Sequence, residues 1–192
     1  MLNNVSPLTI MAVDSKGKQM YLELKTNNNN TIYLATHLGL TGFWTINPTV
    51  TKNYRIGIQI TSNIRLMYED DRNFGNIYVF NKKELDQKLD TLAPDIVKTN
   101  ITIDQLHNTY KQYISNKRVK DVTIVELLMN QHAVMSGVGN YLMAEILYRA
   151  KISPFTTIRN LTDNQILDLC EAIKYIIKLS YYNNKTGYMT HF

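Results

Sequence analysis

The chain has 192 residues, 44% hydrophobic and 19% charged, a balance that excludes a disordered chain and suits one or two buried cores. Its net charge of +5 leaves a polyanionic partner open without requiring one. The single cysteine, Cys170, excludes a disulfide framework and any multi-cysteine zinc site in these residues, and the four histidines do not stand at metal-ligand spacing.

The opening MLNNVSPLTIMAV lacks the basic and then apolar regions of a secretory signal, so an intracellular protein is expected. From Pro7 to about Phe80 the pattern has period two. Met20, Leu22 and Leu24 share one face of a strand opposite Gln19, Tyr21 and Glu23, and Ile56, Ile58 and Ile60 repeat the pattern. The Asn27–Asn30 run and Thr61–Asn63 read as hairpin turns, since Asn tolerates the left-handed backbone that such turns need. The expected first half is an antiparallel β layer or sandwich of half-buried strands.

After Leu92 the period becomes helical. Thr102 with Gln105 and Thr162 with Gln165 read as capping boxes, and Ile166, Leu169, Cys170, Ile173, Ile176 and Ile177 form one buried stripe behind the second. Two more helices are expected near Val122–Asn130 and Asn140–Ala150, the latter closed by Pro154. Asp168, Glu171, Lys174 and Lys178 interrupt the last apolar segment and make it amphipathic rather than membrane-spanning.

The SGVGN turn, Ser136–Asn140, places Gly137 and Gly139 before an apolar helix, with Asn140 as the expected N-cap. Two readings stand: a tight helix–helix connection, or unpaired amides at a helix start that bind an anion.

The surrounding residues sharpen the choice. Gly137–Pro154, GVGNYLMAEILYRAKISP, closely resembles the helix-two-turn-helix segment of the formamidopyrimidine-DNA glycosylase and endonuclease VIII (Fpg/Nei) family, and Gln131–His132 before the turn is closer to the endonuclease VIII branch. KGKQMYLEL from Lys16, HLGLTG from His37, DDRNFG from Asp70 and LAPD from Leu92 resemble further family segments in the same order. The implied fold is α+β: a partial antiparallel β-sandwich over residues 1–92, then a helix-two-turn-helix domain over residues 93–192.

The resemblance implies a monomer that binds double-stranded DNA containing damaged bases or abasic sites, with no membrane association. Gly139 and Asn140 would grip a phosphate, Lys18 would hold the strand from the β domain, and Arg55 is a further phosphate candidate; such contacts set register without reading sequence. Leu40, Arg72 and Phe74 stand where the family inserts side chains into the gap left by an everted nucleotide. From the residues alone, Lys18 also reads as a solvated strand lysine, and Leu40 and Phe74 as core. Asn73 replaces an arginine common in the family, and Gly39 and Gly75 suggest exposed loop tips.

The implied activity is a base-excision DNA glycosylase and abasic-site lyase acting on oxidised bases, pyrimidines by the branch resemblance. In the family a Pro–Glu start carries that chemistry, and this sequence begins MLNN. It also ends at TGYMTHF, before the family's zinc finger, so both ends are expected to be truncated relative to the pattern and no cofactor is expected. No catalytic residue is identified. The Met1 amine and Lys18 are the candidate substitute nucleophiles, while Asp70, Asp71 and Glu145 form no evident acid–base pair. The alternative is a catalytically inactive DNA-binding remnant of the family.

Overall fold

A computed structural model describes residues 8–49 and 54–184, which fall in two compact units, Met1–Thr91 and Leu92–Phe192. The alternating segments of the first unit become β1 (Thr9–Lys16), β2 (Gln19–Lys25), β3 (Thr31–His37), β4 (Phe43–Ile46), β5 (Tyr54–Thr61), β6 (Ile64–Glu69) and β7 (Asn76–Phe80). They pair in two antiparallel sheets, one in the order β1-β2-β3-β7 and one in the order β4-β6-β5. Leu22, Leu24 and Leu34 of the first sheet share a core with Ile56, Ile58, Ile60 and Leu66 of the second, so the period-two stripes are the inner faces of a sandwich. Asn29 takes the left-handed conformation (φ 61°) in the β2–β3 turn, and Ser62 and Asn63 join the paired Thr61 and Ile64.

One element was not expected from the pattern. Asn81 opens α1 (Lys82–Asp90): its side chain accepts from the Glu84 amide while Glu84 accepts from the Asn81 amide, a capping box spelled with asparagine. Leu85, buried with Tyr33 and Ala35 against Tyr21, Phe80 and Leu89, seats this helix on the other face of the first sheet. Tyr21 is therefore half-buried beside α1, while the β1 and β7 edges of the same sheet keep Val13 and Val79 exposed.

In the second unit the helices are α2 (Ile103–Ser115), α3 (Ile124–Met129), α4 (Asn140–Ala150) and α5 (Asp163–Asn184). The boxes at Thr102/Gln105 and Thr162/Gln165 form, and Thr123/Glu126 adds a third ahead of α3. The α5 stripe is buried with Leu106, Tyr110, Ile124, Leu128 and Ile146 in one core. Burial there pushes the Cys170 thiol up to about 12, so it packs as an apolar group rather than a reactive thiol. Pro154 does not close α4. Lys151 does, in the left-handed conformation (φ 55°), with its amide turned back to the Leu147 and Tyr148 carbonyls. No described helix is long and apolar enough to cross a membrane.

Candidate nucleic-acid interface

The turn before α4 is built from hydrogen bonds that run backward along the chain. The Gln131 side chain accepts from the Gly137 amide at 2.7 Å and donates to the Val138 carbonyl at 3.1 Å. Ser136 donates its amide to the Pro94 carbonyl and its hydroxyl to the Ala93 carbonyl, each at 2.9 Å, while Ala93 donates to the Gln131 carbonyl. LAPD is thus the lower strap of this turn, and its Asp95 carboxylate holds the Val97 and Lys98 amides.

Gly137 has φ 112° and needs glycine; Gly139, at φ −116° and ψ −179°, is in an extended conformation open to any residue. The expected capping is corrected here: Gly139 is the N-cap, and Asn140 is the first residue of α4, its exposed side chain making no cap bond. The helix ladder begins with Met143 donating to Gly139. Among the described residues no acceptor meets the Asn140, Tyr141 or Leu142 amides, which leaves three donors and the positive end of the helix at one place.

In the β unit, the 38–42 loop after β3 and the 70–75 loop after β6 pack together. Gly39 (φ 63°) lies so close to the second loop that a Cβ would stand 2.8 Å from the Phe74 carbonyl carbon. The buried Asp70 carboxylate accepts from the Thr41 hydroxyl at 2.6 Å and from the Gly75 amide at 2.7 Å. Those bonds, the Thr41 hydroxyl foremost, hold its pKa below the ordinary carboxylate range against the cost of burial. Asn73 is left-handed (φ 57°), a conformation asparagine tolerates. Leu40 (71% exposed), Phe74 (56%) and Arg72 project into solvent from this joined pair of loops, so the core-packing reading of Leu40 and Phe74 does not hold. Gly75 is not simply a loop-tip residue: a Cβ there would collide with the Tyr68 hydroxyl.

Lys18 sits beside Gly17 (φ 57°) in the β1–β2 turn rather than within a strand, half-buried, and desolvation lowers its pKa. Exposed Arg55 donates from Nε and Nη2 to the Asp70 carbonyl, at 3.2 and 2.9 Å, and so braces the second loop. Glu145 lies within α4, and Met1 lies outside the described residues. Among the described residues no group of three or more His, Cys, Asp and Glu could hold a metal ion. Gln131, Ser136, Thr41 and Asp70 stand within the motifs quoted from the sequence, but their bracing roles are seen only in the fold. The only local signal was an aspartate opening a turn-rich DDRNFG loop.

Residues 92–191 match the formamidopyrimidine-DNA glycosylase H2TH domain, and residues 2–77 match the formamidopyrimidine-DNA glycosylase N-terminal domain. This chain belongs to the formamidopyrimidine-DNA glycosylase family. Among curated relatives, the formamidopyrimidine-DNA glycosylase of Rickettsia bellii (strain OSU 85-389) is 30% identical over 195 residues, covering 93% of this chain and 67% of the relative. That of Prochlorococcus marinus subsp. pastoris is 33% identical over 183 residues, covering 86% and 60%. In fold, the chain is similar to the MutM (Fpg) protein of Thermus thermophilus, with TM-score 0.72, 24% identity, and 90% of this chain against 60% of that one. It is also similar to Lactococcus lactis Fpg non-covalently bound to DNA containing an abasic site, with TM-score 0.74, 21% identity, and 94% against 66%. The chain therefore spans about 60 to 67% of these glycosylases. The match establishes the Fpg/Nei family without singling out its endonuclease VIII branch.

Proposed function

We propose that this chain binds damaged double-stranded DNA as the DNA-gripping part of a base-excision glycosylase and abasic-site lyase. The observation that carries the reading is the set of unpaired amides at Asn140–Leu142, on a turn braced from behind by Gln131 and Ser136, in a chain of this family. A phosphate takes such donors without reorganising them. In the β unit, Lys18 supplies a half-desolvated ammonium that an anion would compensate, and Leu40, Arg72 and Phe74 supply an apolar, cationic and aromatic wedge for the gap beside an everted nucleotide. The finer part of the proposal is a preference for oxidised pyrimidines, supported by Gln131–His132 before the turn.

The test is fluorescence anisotropy with duplexes that are intact or carry an abasic analogue, an oxidised pyrimidine or an oxidised purine. Tighter binding to the abasic and pyrimidine duplexes is expected; equal binding to all four would overturn the reading, and a purine preference would overturn its finer part. Affinity should fall steeply with salt, and Lys18→Ala should flatten the log–log slope by about one unit without changing sequence preference. An unchanged slope would put Lys18 off the phosphate track. Borohydride trapping on an abasic oligonucleotide addresses chemistry. No nucleophile is assigned within these residues, so little covalent product is expected; strong trapping lost in Lys18→Ala would make that lysine the nucleophile.

A further inference from the structure

Two loops that are distant in sequence are joined by one buried carboxylate. Leu40 stands on the first, Arg72 and Phe74 on the second, and between them Asp70 receives the Thr41 hydroxyl from one side and the Gly75 amide from the other. The Thr41 oxygen also accepts from the Arg72 amide at 3.4 Å, so this single hydroxyl is bonded twice across the seam. Behind it Arg55 fixes the Asp70 carbonyl with two donors. Beneath lies the buried Tyr68 hydroxyl, closely bounded by Gly42 and Gly75, its pKa raised by burial and by the Asp70 carboxylate. A side chain at either glycine would collide with that hydroxyl, so the seam is closely packed from below.

Resting on the DNA-binding reading above, we propose that Asp70 and Thr41 are positioning residues that lock the two loops into one ridge, so that Leu40, Arg72 and Phe74 enter a duplex as a unit. Neither residue touches DNA. Two independent loops would each lose conformational freedom on inserting a side chain; a ridge that is already joined has lost that freedom on folding. The latch therefore acts on discrimination between damaged and intact duplex, because only the damaged one offers a gap for the ridge, and leaves the phosphate contacts of α4 unchanged.

The test uses the full 192-residue chain with Thr41→Val, which keeps the shape and removes the hydroxyl, and Thr41→Ser, which restores it. Binding to intact and abasic-analogue duplexes is measured, with 2-aminopurine beside the gap to report unstacking and circular dichroism to report folding. Thr41→Val should keep its helical spectrum and its affinity for intact duplex, lose about tenfold in abasic preference, and lose the 2-aminopurine signal, while Thr41→Ser recovers both. Leu40→Ala and Phe74→Ala should be non-additive in the unaltered chain and additive in Thr41→Val. Unchanged discrimination in Thr41→Val, no rescue by serine, or additivity in both backgrounds would overturn the latch alone. If the unaltered chain shows no abasic preference, the latch and the proposed function fall together.

Discussion

Asp70 links a residue-scale bond to the stability of a loop pair. Its folded pKa lies below the ordinary 3.8, so its contribution is fully present above that value and is lost as pH falls from there through the folded pKa. The expected outcome of an acid titration is loosening of the 38–42 and 70–75 loops first, read as a falling protection factor at the Gly75 amide, with Asp70→Asn flattening the pH dependence of that factor. A Gly75 protection factor, corrected for the intrinsic exchange rate, that stays constant as pH falls below about 4 would deny Asp70 its anchoring part. Asn140 makes the complementary case. Because its side chain caps nothing, Asn140→Ala should change unfolding stability by less than about 0.5 kcal/mol and act on DNA affinity instead, as denaturant melts and anisotropy would show.

At the scale of elements, capping decides where helices begin. Thr162 accepts from the Gln165 amide and Gln165 answers to Thr162, so Thr162→Ala should cost about 1 kcal/mol in chemical denaturation of the helical unit. The α4 start differs in kind: it has no side-chain cap, and its free amides are held open by bonds from Gln131 and Ser136 placed earlier in the chain. Stability and ligand capacity are thus divided between two helix starts. Where the first turn is capped the donors are used, and where it is uncapped they remain available.

At the scale of the whole molecule, the two units have separate cores: Leu22, Leu24, Leu34 and Ile58 in one, Leu106, Leu169 and Ile173 among others in the second. The only tryptophan of the chain, Trp44, packs at 5.3 Å on Tyr68 in the first unit and reports on it alone. Leu169→Ala should open a cavity worth about 2–5 kcal/mol. The expected result is a lowered helical transition in far-ultraviolet circular dichroism with a smaller shift in Trp44 fluorescence. Equal shifts in both signals would mean that the units unfold together.

The change of period from two to helical, the Asn29 turn, the α5 stripe and the boxes at Thr102 and Thr162 were all legible, because each depends on residues within a turn or two of one another. The sequence by itself therefore determined the fold class and the family, whose motifs are local strings. Tertiary structure decided the rest. The Asn81 box is equally local, yet α1 gains its place only by burying Leu85 against Tyr33 and Ala35 of β3, with four strands between them in the chain. Gly139 rather than Asn140 became the cap because Gln131 had already set the turn's geometry. Leu40 and Phe74 read equally as core or as wedge until Thr41 and Asp70, 29 positions apart, met across the seam and left those side chains outside. A contact between residues that far apart has no local signature, since it depends on which strands the intervening chain pairs.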